Sequence, residues 1–199
     1  MRALILVDIQ NDFLPGGPLG VAEGDQVASV ANRLMGEYDL VVATQDFHPA
    51  DHLSFASQHP GKQPGDVIEL GGLPQVLWPD HCMEDTTGAE FDSTLDTARI
   101  ARVFTKGTNR TVDSYSGFFD NGRQHATGLG EYLKENGITA VSILGLATDY
   151  CVKFTALDAI ELGFQTELIL DGCRGVDLTP GDVQRAVEAM QAAGVKIRD

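Results

Sequence analysis

Cys151 stands in Gly-Leu-Ala-Thr-Asp-Tyr-Cys-Val-Lys-Phe, residues 145–154. An apolar, β-branched run (residues 139–145) precedes it, and Val152, Ala156, Leu157 and Ile160 follow at helical spacing. The thiol is therefore predicted where a buried strand turns into a helix. The first N–H groups of a helix lack intrahelical partners and carry partial positive charge, so a thiolate or an oxyanion is favoured there. Asp8 closes the apolar run of residues 3–9, and Lys106 closes that of residues 101–106. A carboxylate at the end of a dry strand needs a partner. Together, Asp8 can accept the thiol proton, and Lys106 can hold the resulting charge and orient the carboxylate. Singly, each has a plainer reading: a small buried hydrophobe, a turn residue and a solvated strand end.

A second constellation is Asp46-Phe47-His48. In an extended segment, residues two apart point to one side, so Asp46 and His48 can offer an oxygen and a nitrogen to one ion. His81, in Trp78-Pro79-Asp80-His81-Cys82, can supply a third ligand. One Asp and two His with open positions suit zinc, manganese or iron. His52 is either a further ligand or a group supporting one, and Cys82 is a soft donor beside His81. Phe13 and Trp78 lie in loops where they can wall a flat ring, and Tyr115 is a similar candidate.

These groups need elements to hold them. Apolar runs at residues 3–9, 40–44, 101–106, 139–145, 165–170 and 195–198 predict six buried strands. Helical periodicity predicts helices at 25–35, 93–98, 129–136, 152–163 and 180–193, with Pro180 as a first-turn proline. The alternation predicts an α/β fold: three layers, α/β/α, around a six-stranded, mostly parallel sheet of Rossmann-like topology. Residues 1–199 read as a single domain with a long irregular segment at about 46–91, and such loops tend to be functional. Ligands of open parallel sheets sit beyond the carboxyl ends of the strands. Asp8, Asp46, Lys106 and Cys151 all fall at such ends.

Composition narrows the class. The formal net charge of −15 repels nucleic acid and acidic membrane surfaces. No apolar run reaches a membrane span. Three scattered cysteines point to a reducing, cytoplasmic setting. Self-association is left open.

The stretches LVDIQNDF (residues 6–13), TQDFHP (44–49), WPDHC (78–82), FTKG (104–107), DSYSGFFDN (113–121) and GLATDYCVKFTALDA (145–159) resemble the nicotinamidases, also called pyrazinamidases. These belong to the cysteine hydrolases that include isochorismatases. The resemblance implies an Asp8–Lys106–Cys151 triad and metal ligands Asp46, His48 and His81; some relatives use a further His or Glu near the position of His52 or Ser54, and here that residue or water is the fourth ligand. It implies a cis peptide before Ala147, with the N–H groups of Ala147 and Cys151 as an oxyanion hole. It also implies hydrolysis of nicotinamide to nicotinate and ammonia through a cysteine thioester, as in NAD salvage, with one divalent ion, zinc or else manganese or iron. The alternatives are another C–N hydrolase of the superfamily, acting on N-carbamoyl or related amides, and a non-catalytic metal-binding protein of this fold.

Overall fold

The computed structural model describes residues 1–199. Six strands form one sheet: β1 (Arg2–Val7), β2 (Leu40–Asp46), β5 (Arg102–Lys106), β6 (Ala140–Leu146), β7 (Gln165–Arg174) and β8 (Lys196–Arg198), in the order β5-β2-β1-β6-β7-β8. Every pairing is parallel. Strands buried on both faces must be apolar throughout, and Ala3 to Val7 are all 0% exposed. The helices are α1 (Val27–Leu34), α2 (Leu129–Glu135), α3 (Lys153–Glu161) and α4 (Asp182–Ala192). From β1 the chain steps outward through β2 to β5, whereas from β6 it steps the other way through β7 to β8. Right-handed crossovers then put α1 on one face and α2, α3 and α4 on the other.

The reversal falls between β1 and β6, so the crevice beyond their carboxyl ends is the topological switch point. Gly145 makes their approach feasible there: a Cβ on it would meet Val7 O at 2.1 Å.

Some local expectations are corrected. Residues 93–98 form no α-helix, only a 3₁₀ turn at Thr97–Arg99. Asp92 Oδ1 accepts from Thr94 N and Oγ1, and that local bonding competes with a helix. Pro180 does not open α4, because Gly181 intervenes as the cap residue, with a left-handed backbone. The long irregular segment holds an unforeseen antiparallel ribbon, β3 (Val67–Leu70) and β4 (Leu73–Val76). β1 stops at Val7 because Asp8 turns out of the ladder at φ 49°. No helix is long and apolar enough to cross a membrane.

Candidate active site

Parallel register sets four reactive side chains in a row. β5, β2 and β1 end in or just before Lys106, Asp46 and Asp8, and β6 runs through the Leu146–Ala147 cis peptide into the turn that carries Cys151. That turn, Thr148–Val152, is π-helical and leads into α3. Cys151 is its fourth residue, so the strand-to-helix placement holds although the turn is wider than an α-helical start.

Lys106 is the hub, with a side chain wholly shielded from solvent. Its Nζ donates to Asp46 Oδ1 at 2.5 Å, to Ser114 O at 2.9 Å and to Cys151 Sγ at 3.3 Å. An ammonium has three protons, and these acceptors use them. Asp8 Oδ2 lies 2.9 Å from the same nitrogen without a directed hydrogen bond, while Oδ1 accepts from Thr44 Oγ1 at 2.6 Å. Asp8, Asp46 and Cys151 present atoms within 4.8 Å of one another. One Asp8 carboxylate oxygen is thus within reach of the thiol.

The electrostatics follow from burial. Burial alone would lower the Lys106 pKa, but Asp46 and Asp8 overcome it and hold the ammonium well above its ordinary range. Burial would raise Asp46, yet Lys106 and then His48 hold it well below. Asp8 is raised by burial despite Lys106, with the Asp46 charge adding to the rise. The Cys151 thiol is also pushed well above its ordinary value, by burial first, with Asp8 and Asp46 adding to it against Lys106. Burial and the two carboxylates thus oppose the ionisation that a helix start favours. The thiol needs a base.

Asp46 also faces the other way. Its Oδ2 lies 3.6 Å from His48 Nε2 and 3.8 Å from His81 Nε2. His48 Nδ1 hydrogen-bonds Gly107 O at 2.9 Å and His81 Nδ1 hydrogen-bonds Pro79 O at 2.7 Å, which puts a proton on each Nδ1 and aims each Nε2 at Asp46. Gly107 is required where it stands, since a Cβ would meet the His48 ring at 2.3 Å. Among the groups that meet at Lys106 and the two histidines, one buried ammonium (Lys106) stands against three buried carboxylates (Asp8, Asp46, Asp113). Two negative charges are left over, the amount a divalent ion neutralises. Donor chemistry, tautomers and charge all fit such an ion on Asp46, His48 and His81.

His52 and Ser54 chiefly bind each other, Nδ1 to Oγ at 2.7 Å. His52 joins His48 and Asp113 in a neighbouring cluster instead of the Asp46 group. Cys82 turns its sulfur toward Gly88 O at 3.9 Å, and burial pushes its thiol well above the ordinary value.

A small cavity of about 30 Å³ opens onto these groups. Phe13, Trp78, Tyr115, Ala147 and Cys151 all line it. Tyr150 lines it as well and packs edge-on against Trp78 at 4.8 Å between centroids. Sequence reasoning missed Tyr150, although its place beside Cys151 was a usable signal. It also missed Gln10, which is fully buried. Gln10 Oε1 accepts from Asp46 N and its Nε2 donates to Asp46 O, both at 2.8 Å, so the Asp46 backbone is clamped from both sides.

Residues 2–199 match the isochorismatase domain family. The nicotinamidase of Escherichia coli is 52% identical over 200 residues, covering 98% of this chain and 93% of that one. A nicotinamidase/pyrazinamidase structure from Acinetobacter baumanii superposes with a TM-score of 0.95 at 47% identity, over 98% of this chain and 94% of that one. The pyrazinamidase of Pyrococcus horikoshii, solved in complex with zinc, gives 0.80 at 38% identity over 100% and 98%.

Proposed function

The chain belongs to the isochorismatase family, and from that premise we propose that it is a nicotinamidase, hydrolysing nicotinamide to nicotinate and ammonia. The observation that carries the reading is the continuity of the two clusters: Asp46 Oδ1 receives the Lys106 ammonium that also touches Cys151, while Asp46 Oδ2 faces two histidine Nε2 atoms. A ring-nitrogen anchor and a thiol nucleophile then share one small, mostly apolar cavity, which suits a flat heteroaromatic amide.

Asp8 accepts the Cys151 proton, and the thiolate attacks the carboxamide carbon. Lys106, held cationic, offsets the charge passing between sulfur and carboxylate. The N–H groups of Ala147 and Cys151, both on residues lining the cavity, receive the tetrahedral oxygen. Protonated Asp8 gives its proton to the leaving nitrogen, so ammonia departs and an acyl thioester remains on Cys151. Asp8 then deprotonates water, which attacks the thioester; the thiolate leaves and takes that proton back from Asp8, and the acid departs as nicotinate, its remaining proton passing to solvent. Phe13, Trp78 and Tyr115 hold the ring; burial raises the Tyr115 phenol well above its ordinary range, so it stays neutral. Asp46, His48 and His81 would hold one divalent ion, zinc as in the Pyrococcus relative or else manganese or iron, and such an ion supplies a Lewis acid for the ring nitrogen.

Ammonia release from nicotinamide, before and after chelation, tests the reading. Release that stops with chelator and returns with added metal is expected. No release from nicotinamide with any of the three metals refutes it.

A further inference from the structure

Asp113 is a buried carboxylate on the cavity wall that the steps above do not use. Asp8 and Asp46 both pair with Lys106, whereas Asp113 makes no ion pair with a lysine or arginine. Its Oδ1 accepts from Ser114 N at 2.7 Å and its Oδ2 from Gln75 Nε2 at 3.0 Å. Gln75 is the one buried residue of the β3–β4 ribbon, and it also donates to Tyr115 Oη at 3.1 Å. The ribbon therefore reaches Asp113 through a single amide that holds it in place without neutralising it. Asp113 further lies within 4.8 Å of ring nitrogens of His48 and His52, which places it toward the metal-binding end.

The reaction converts a neutral ligand into an anion in the same cavity. With a divalent ion bound, the buried charges of Lys106, Asp8, Asp46 and Asp113 balance it. Without Asp113 the cavity would be left with one excess positive charge, which would retain a carboxylate product. We propose that Asp113 is a specificity-determining residue: its charge discriminates the neutral amide from the anionic acid, so that the product is not retained. The inference rests on the amide hydrolysis proposed above.

The test measures binding by calorimetry in the zinc-saturated Cys151→Ala protein, where the amide is not turned over. Adding Asp113→Asn, of equal size, is expected to tighten nicotinate by about tenfold or more, because a unit charge within a few ångströms acts through a low effective dielectric. Nicotinamide, being neutral, should shift by less than about threefold on the same grounds. Adding Gln75→Glu to that protein returns a carboxylate to the same hydrogen-bonded pair, and nicotinate should weaken again. Nicotinate affinity that does not rise with Asp113→Asn, while nicotinamide still binds, overturns the inference. So does a rise that Gln75→Glu leaves in place, since a shape effect would then explain it. If the Cys151→Ala protein binds no nicotinamide at all, the hydrolase reading falls, and this inference falls with it.

Discussion

The site has two halves built on different principles. Asp8, Asp46 and Lys106 come from strand ends, where parallel register sets their spacing, and Cys151 from the turn directly after β6. His48, His81, Trp78, Asp113 and Tyr115 come from loops, where local hydrogen bonds such as His48 to Gly107 O set each position. The strand-end half is part of the core, so its chemistry and the stability of the fold are bound together. The loop half is attached to that core, and its chemistry can be removed with less damage. Asp46 belongs to both, one oxygen in each.

Substitutions should separate the halves. The largest effect is expected at Cys151: Cys151→Ala should lower turnover by roughly four orders of magnitude or more while nicotinamide still binds. Steady-state kinetics with a binding titration checks this, and near-normal turnover would remove Cys151 as nucleophile. Lys106→Met should abolish turnover and also lower stability by about 3–5 kcal/mol in urea unfolding, because two buried carboxylates lose their cation. His48→Ala should cut bound metal, read by elemental analysis, and reduce catalytic efficiency by about a hundredfold. Its stability cost should be smaller, on the order of 1–2 kcal/mol, as a hydrogen-bonded loop side chain is lost. Equal stability losses at Lys106 and His48 would erase the distinction between the halves.

The pH profile sharpens it further. Burial raises the Asp8 carboxyl above its ordinary 3.8, so as pH falls through that raised value Asp8 gains a proton and can no longer take the one from Cys151. The acidic limb of kcat/KM should therefore lie above the ordinary carboxylate range; a limb at or below 3.8 would contradict Asp8 as base. The smallest effect belongs to the exposed Arg110–Asp51 pair, 2.6 Å apart, near the histidine loop. Arg110→Ala should change stability by no more than about 0.5 kcal/mol and leave KM in place.

The same division explains what the sequence disclosed. Asp8 and Lys106 were legible because an unbroken apolar run ending in a charge marks both a strand and its carboxyl end. Asp46 and His48 were legible because a spacing of two in extended chain shares a side. Asp113 and Gln75 were not, because their roles depend on a ribbon of four-residue strands with exposed faces, which leaves no periodic trace. Gln10 was hidden for another reason: its partners are the backbone of Asp46 and Ala89, and backbone leaves no mark in a sequence. For Cys151, the helix terminus that favours ionisation is visible in the sequence, whereas the burial beside Asp8 and Asp46 that opposes it is not.

The most direct measurement is acid quenching during turnover of nicotinamide, followed by mass spectrometry of the peptides. A nicotinoyl group on the peptide that carries Cys151, and on neither Cys82 nor Cys173, is the expected result. Steady turnover with Cys151 unmodified at every quench time, or the acyl group on another residue, would contradict the shared site described above.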